Sequence, residues 1–429
     1  MKQTTDMKFS YSSQFTKRGE LSLHAKQLFD QIKGFNTIHS SEYIEQIEVL
    51  RTAFDANILL DARAMAERMN TSTLKVIFIV GIGGSSLGTK AIVDALYDNN
   101  RNTKIIFLES LHDRSIKQAE EICSTLRSSH EFCINIISKA GATTETIANF
   151  SILSGFVEHI DGWRSRVVVT TTKESELAAL SKKEGYALLY MPKVISGRYS
   201  VFTAVGVFPL FLAGYPVQEI LAGAQDAHAL LQAPHDPTRR LVEDLVGGLS
   251  AGMHIIDFFF FNSELESLGK WARQLYAESL GKTHDKNGKE VHTGITPTVS
   301  IGSEDLHSMV QLYYGGPRDR ISLLIPPLKG QKHIIPSHAF TALVPGIAGR
   351  STDDVNEAIY TGVVAAFKAN QIASVEVLFP SLGGAMVGAF MQWQMQVVAI
   401  LAEHLNISAF DQPNVEDYKK VTHSLLVQK

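Results

Sequence analysis

The chain has 429 residues, 45% of them hydrophobic and 20% charged, an ordinary globular composition with core material for two or three domains. A net charge of −4 gives no basic footprint, which argues against nucleic acid as the main partner. The two cysteines, Cys123 and Cys133, lie in or beside apolar stretches without metal-type spacing and read as buried free thiols of a reducing compartment. The polar start Met1–Asp6 lacks a signal-peptide core, and the most apolar stretches, such as Val201–Gly214, are too short and interrupted to span a bilayer. A soluble, cytoplasmic protein is expected.

Residues 1–70 read as a helical arm with no clear strand. From Lys75 the pattern changes: Val76–Val80, Lys104–Leu108, Phe132–Ile137 and Arg166–Thr170 are short apolar runs, as expected of parallel strands covered on both faces. Helical patterns lie between them, at Leu87–Tyr97, Asp113–Leu126 and Thr144–Glu158. This alternation predicts a doubly wound domain over 71–231, with ligands bound at the carboxyl ends of its strands. Gln232–Pro237 is the linker candidate. Over 238–405 the alternation resumes, with strands at His254–Phe260, Thr296–Ile301, Ile321–Leu324 and Val375–Phe379. Helices are predicted at Ser263–Glu278, Glu304–Tyr313, Thr352–Ala369 and Ala385–His404, and Asn287-Gly288 within Lys282–His292 marks a hairpin. Residues 406–429 complete the chain as a C-terminal helix. The fold class is therefore α/β: two doubly wound domains, with parallel-rich sheets between helices and helical arms at both ends.

The richest segment is Ser138-Lys139-Ala140-Gly141-Ala142-Thr143-Thr144-Glu145-Thr146, between a buried strand and a helix. Unpaired N–H groups, the helix dipole and several hydroxyls can converge there on one dianion. Ser138, Thr143 and Thr146 are the best donors, with Lys139 as a nearby charge. A second turn, Gly81-Ile82-Gly83-Gly84-Ser85-Ser86-Leu87-Gly88, follows the first strand and would reach the same sheet edge. It fails the dinucleotide fingerprint, having serine at 86, and contains no P-loop lysine.

Other constellations carry two readings each. Arg198, before a long apolar stretch, needs an anion, which a structural ion pair could equally supply. Ser263–Glu266 reads as a capping box for a helix carrying Gln274 and Glu278 on one face. Glu278 is placed either as a base or as a solvated helix end. Ser303 reads as a cap placing His307 in a first turn, with or without a further role. Pro413 opens a last helix on which Gln412 and Lys419 face the same way, or Lys419 belongs to a solvated basic face. His284 and His292 flank the hairpin and suggest a metal only weakly, beside the more ordinary reading as surface histidines.

In this order these pieces resemble the glucose-6-phosphate isomerase (phosphoglucose isomerase) family in its shorter bacterial form, over roughly 70–425. Ser196-Gly197-Arg198-Tyr199-Ser200 is similar to the family's arginine motif, and Phe410-Asp411-Gln412 through Lys419 to its C-terminal signature. Glu278–Lys282 and Asp305–Ser308 are similar to the segments carrying the catalytic glutamate and the ring-opening histidine. The resemblance implies two sugar-isomerase (SIS-type) domains. It also implies reversible isomerisation of glucose 6-phosphate and fructose 6-phosphate, a step of glycolysis and gluconeogenesis, without metal or nucleotide cofactor.

Carried over, Ser85, Ser138, Lys139, Thr143 and Thr146 would seat the phosphate, and Glu278 would move the proton between C1 and C2. Arg198 would stabilise the enediolate, His307 with Lys419 would open the ring, and Gln274 and Gln412 would hold hydroxyls. In the family the histidine comes from a neighbouring subunit, which implies a homodimer with composite sites. Ala140, Ser196 and Asn414 depart from the family pattern, and the loss of a donor at 140 bears on phosphate affinity. A non-catalytic sugar-phosphate sensor and an isomerase of another sugar phosphate are the competing readings; loss of Glu278, His307 and Lys419 would mark the former.

Overall fold

The computed structural model describes residues 10–13, 18–35, 42–98, 101–328, 330 and 333–427. They divide into two compact units. The first is Gly34–His228 with Leu382–Gln392; the second is Ala229–Ser381 and Trp393–Lys429, with the described part of Asp6–Lys33.

In chain order the strands are β1 (Ser10–Ser13), β2 (Val76–Val80), β3 (Lys104–Leu108), β4 (Phe132–Ile137), β5 (Val167–Thr171), β6 (Ala187–Tyr190) and β7 (Ile255–Phe260). They continue with β8 (Lys282–His284), β9 (Glu290–Thr293), β10 (Thr296–Ile301), β11 (Arg320–Ile325) and β12 (Ser374–Leu378).

The first unit holds a five-stranded parallel sheet in the order β3-β2-β4-β5-β6. β2 and β4 are buried along their whole length, which is why they read as unbroken apolar runs. Phe78, Val80, Ile134 and Ile136 pack with Cys123, Leu153 and Val157 from flanking helices. Both cysteines are free and buried, and burial pushes each thiol up to about 12. Because β2 has β3 on one side and β4 on the other, the connections leaving β2 and β4 diverge. This opens a crevice at their carboxyl ends, the topological switch point of such sheets. β6, at the sheet edge and partly exposed, went unforeseen although Ala187–Tyr190 is a short apolar run.

The second unit repeats the plan. β12, β11, β7 and β10 lie side by side and parallel, and β1 closes the β12 edge antiparallel. β1 corrects the reading of residues 1–70 as strandless. Ser10-Tyr11-Ser12-Ser13 has no apolar run, and its strand exists because an edge is there to pair with. The hairpin is as expected: β8 pairs β9, and Gly288 takes φ +78°. The Ser263–Glu266 capping box does not form. Ser263–Leu265 is a 3-10 turn, the helix begins at Glu266, and no side chain caps it.

The longest apolar element is the helix Gly384–His404 rather than Val201–Gly214. It is long and apolar enough to cross a membrane, yet 94% of its apolar window is buried in the protein. It also carries three fully buried glutamines, unsuited to a lipid face. Gln392 donates to the Leu50 carbonyl (2.7 Å), and Gln394 accepts from the Tyr276 hydroxyl (2.7 Å).

Within the linker candidate, Asp236 starts the helix Pro237–Ser250, accepting from the Thr238 and Arg239 amides at 2.9 and 3.2 Å. Burial pushes its carboxyl up to about 6. Between about pH 4 and 6 the folded protein therefore holds a proton that the unfolded chain has released. The associated stability is full below about pH 4 and is lost, by up to roughly 3 kcal/mol, as pH rises through 6. Asp236→Asn keeps the capping acceptor without the buried charge. It should raise the melting temperature at pH 7.5, with the gain vanishing near pH 4; equal melting curves at both pH values would remove Asp236 as a destabilising charge.

Candidate functional site

The first unit gathers its polar turns at the β2/β4 crevice. After β4, Ser138 is buried, with its hydroxyl 2.9 Å from that of Thr143, and it accepts from the Gly141 amide at 3.1 Å. Thr143 occupies the N-cap position of the helix Thr144–Val157, but its hydroxyl turns to Ser138 rather than to the helix. The first amides of that helix are therefore left without a side-chain cap. Thr146, one turn in and 1% exposed, has a buried hydroxyl with no hydrogen-bond partner. Gly141 takes φ +82°, the left-handed conformation that folds this turn back on itself.

After β2 the two serines separate. Ser86 is buried and donates to Glu109 (2.7 Å), which also pairs with Lys90 at 3.1 Å; Ser86 is structural. Ser85 is half-buried in the 3-10 turn Gly83–Ser85. A Cβ on Gly84 would stand 2.1 Å from the Gly197 carbonyl carbon and 2.4 Å from the Arg198 amide nitrogen, so only glycine permits this contact. The Ser200 hydroxyl, bonded to the carbonyl of Gly197 (2.7 Å), also reaches that of Gly84 (3.3 Å). Arg198, 1% exposed, is thus delivered against the β2 turn. The Lys139 ammonium is held below its usual range, chiefly by burial and then by the nearby cations Arg198 and Lys193. A dianion in this crevice would relieve both costs.

The second unit holds the remaining candidates. Gln274 and Glu278 face each other one turn apart, and the Gln274 amide donates to the Glu278 carboxylate at 2.8 Å. The Gln274 carbonyl oxygen is buried without a partner. Lys282 bonds the backbone carbonyls of Glu278 (2.6 Å) and Asp411 (3.1 Å), and the Asn414 amide bonds the Thr283 hydroxyl at 2.9 Å. The segment bearing Gln412 is thereby fastened just beyond Glu278, and Asn414, one of the departures, is part of the fastening. A cavity of about 410 Å³ lies between hairpin and segment, lined by Lys282, Thr283, Asp411, Pro413 and Asn414 but not by Glu278 or Gln412.

Pro413 opens a 3-10 turn rather than the last helix, which runs Glu416–Val427. Lys419 there is about half exposed and pairs with Glu416 at 2.7 Å. His292 contacts Glu290 (2.7 Å) on the hairpin surface.

His307 stands apart. The expected helix Glu304–Tyr313 is broken into the 3-10 turn Glu304–Leu306 and a six-residue helix, Val310–Gly315. Ser303 does not cap it; the Asp305 carboxylate instead accepts from the Ile301 amide at 2.7 Å. His307 is exposed on this turn, after the carboxyl end of β10. The helix Glu266–Leu280 leaves the carboxyl end of β7 and runs back, so Glu278 in its last turn lies toward the strands' amino ends. Six residues of β10 span roughly 20 Å, so Glu278 and His307 belong to opposite ends of one sheet.

The sequence profile of phosphoglucose isomerase matches residues 63–429. The chain belongs to the phosphoglucose isomerase family. A glucose-6-phosphate isomerase of Thermus thermophilus is 31% identical over 354 residues, covering 81% of this chain and 83% of its own length. A hypothetical protein of Thermus thermophilus with a crystal structure is 27% identical, covering 94% of this chain and 95% of its own, at a TM-score of 0.82. The glucose-6-phosphate isomerase of Chlamydia trachomatis, 18% identical, covers 96% and 81% at a TM-score of 0.75 and shares the fold. The doubly wound sugar-isomerase architecture expected from sequence is therefore that of the family.

Thr146 yields a test that separates ligand seat from core. Thr146→Val removes an unpaired buried hydroxyl without changing shape, so the free protein should gain about 1 kcal/mol. Inorganic phosphate should then bind about fivefold more weakly, read as a smaller phosphate-induced shift in thermal unfolding. A destabilised variant with an unchanged shift would make Thr146 an ordinary core hydroxyl.

Proposed function

We propose that this chain interconverts glucose 6-phosphate and fructose 6-phosphate, the isomerisation its relatives are named for and a step of glycolysis and gluconeogenesis. The observation that carries the reading is the β2/β4 crevice. There an unpaired buried hydroxyl, uncapped helix amides and a lysine crowded by two cations converge where a phosphate dianion would answer all three. Ser85, Ser138, Lys139, Thr143 and Thr146 hold the phosphate, and Arg198 stabilises the negative charge that develops on the sugar oxygens.

Glu278 is the base. It takes the proton from C2 of the open-chain aldose as the C2–H electron pair forms the enediolate, and returns that proton to C1 to give the ketose. Gln274 orients the carboxylate through its 2.8 Å hydrogen bond, leaving its own carbonyl for a sugar hydroxyl, and Gln412 binds another. His307 with Lys419 opens the ring first, since only the open chain has a carbonyl that acidifies C2–H. The phosphate supplies remote binding energy, so sugars without it should lose turnover as well as affinity.

A hexose phosphate is shorter than the β10 strand that separates Glu278 from His307. This favours a homodimer in which His307 of one copy serves the Glu278 of the other. The exposure of His307 supports the same reading.

Glu278→Gln should lower turnover about a thousandfold and abolish exchange of the C2 proton with solvent, while phosphate still shifts thermal unfolding. A coupled assay from fructose 6-phosphate, with mannose 6-phosphate run beside it, measures both activity and epimer preference. Near-normal turnover in Glu278→Gln would take the base role from it, and greater turnover with mannose 6-phosphate would reassign the substrate.

A further inference from the structure

Among the phenylalanines of β7, Asp257 is fully buried, and it accepts from the hydroxyls of Thr298 (2.6 Å) and Ser300 (2.9 Å) on β10. The Ser300 oxygen also lies 2.6 Å from the Tyr313 hydroxyl. Ser300 spends its one proton on Asp257, so it accepts from Tyr313, and a directed chain runs Tyr313 to Ser300 to Asp257. An apolar core would be easier to build here, because a buried carboxylate costs stability unless its partners are well placed.

What the chain holds is the helix Val310–Gly315, in which Tyr313 is the single buried residue. Six residues are too few for a helix to stand unaided. The Tyr313 ring is seated edge-on to Phe259 at 6.2 Å, with the Arg320 guanidinium over it at 4.6 Å. Ring packing fixes depth but leaves the helix free to slide, whereas the hydroxyl of Tyr313 on Ser300 fixes register. This helix is joined to the His307 turn without a break: the Tyr313 amide bonds the Met309 carbonyl, and the Met309 amide bonds the Asp305 carbonyl. At its other end the turn is pinned by Asp305 on the Ile301 amide, one residue from Ser300. Both anchors of His307 therefore lie on the last two residues of β10.

We propose that Tyr313, held through Ser300 by Asp257, is the positioning residue that sets His307 for ring opening. This rests on the reading of His307 as the ring-opening group, and the test separates the two. Ring opening is measured alone as α/β anomer exchange of glucose 6-phosphate by NMR, in a Glu278→Gln background that blocks proton transfer at C2.

His307→Ala should abolish enzyme-catalysed anomer exchange. Tyr313→Phe, and independently Ser300→Ala, should slow it by about tenfold to a hundredfold. In the otherwise native enzyme the same variants should lower kcat with KM within about twofold, and the phosphate-induced shift in thermal unfolding should be unchanged. Tyr313→Phe added to His307→Ala should cost nothing further. If His307→Ala leaves anomer exchange intact, the ring-opening role itself falls. If His307→Ala abolishes exchange while both other variants leave it at the native rate, or if Tyr313→Phe and His307→Ala losses in kcat simply multiply, the positioning role falls and the Asp257 chain is only structural.

Discussion

The contact of Gly84 on Gly197 is the constraint from which the first unit's chemistry follows. Two backbones meet where neither residue has a side chain, and this proximity puts a buried guanidinium beside a helix N-terminus and a lysine. None of those groups makes an anion site alone. A helix terminus offers partial charge, a hydroxyl one hydrogen bond, and an exposed arginine would pay a large entropic cost to order itself. In the proposed phosphate seat at the β2/β4 crevice, with the arginine already buried, such groups are ordered before any ligand arrives, and less binding energy goes into arranging them.

The second unit has the same strand plan and the same kind of crevice, beyond the carboxyl ends of β7 and β11, with a cavity of about 420 Å³. Its lining includes Glu264, Glu304, Asp353, Asp354 and Glu357, and a phosphate there would meet carboxylates instead of cations. Shared topology thus did not dictate shared chemistry. The second unit carries its proposed proton-transfer group at the other end of the sheet, where Glu278 closes a helix and the Phe410–Asn414 segment is tied beside it. Fold decides where crevices open, and side chains decide what enters them.

Much of this was readable from sequence because two strong signals coincide. Buried parallel strands write themselves as apolar runs, so β2, β4, β7 and β11 were placed to within a residue or two; a glycine- or hydroxyl-rich turn at a strand's end then points to the switch point. What escaped is whatever depends on a distant partner. β1 has no apolar run and exists by pairing with β12. Ser85 and Ser86 are adjacent and alike, yet only the position of Glu109 makes Ser86 structural. The Ser263 capping box failed because the chain enters that helix through a 3-10 turn. Ser303 failed because the chain makes only the 3-10 turn Glu304–Leu306 there, tied back to β10 by Asp305 on the Ile301 amide. Local capping rules assume a regular helix start, and in both places the fold supplied a different geometry.

Orphaned polar atoms follow the same logic. Thr146 and Gln274 each keep a buried oxygen without a partner, a cost of about 1–3 kcal/mol apiece that selection for stability alone would remove with valine or leucine. In the function proposed here, the first is assigned to the phosphate and the second to a sugar hydroxyl. Asp257 is a different case: one of its oxygens also lacks a partner, but the other is held by the hydroxyls of Thr298 and Ser300, and Ser300 in turn contacts Tyr313. An internal network of this kind directs neighbouring structure, whereas an unsatisfied oxygen beside a crevice is open to a ligand. On the proposed reading, the Asp257 network holds the enzyme's shape, while the free oxygens of Thr146 and Gln274 gain their hydrogen bonds when substrate is bound.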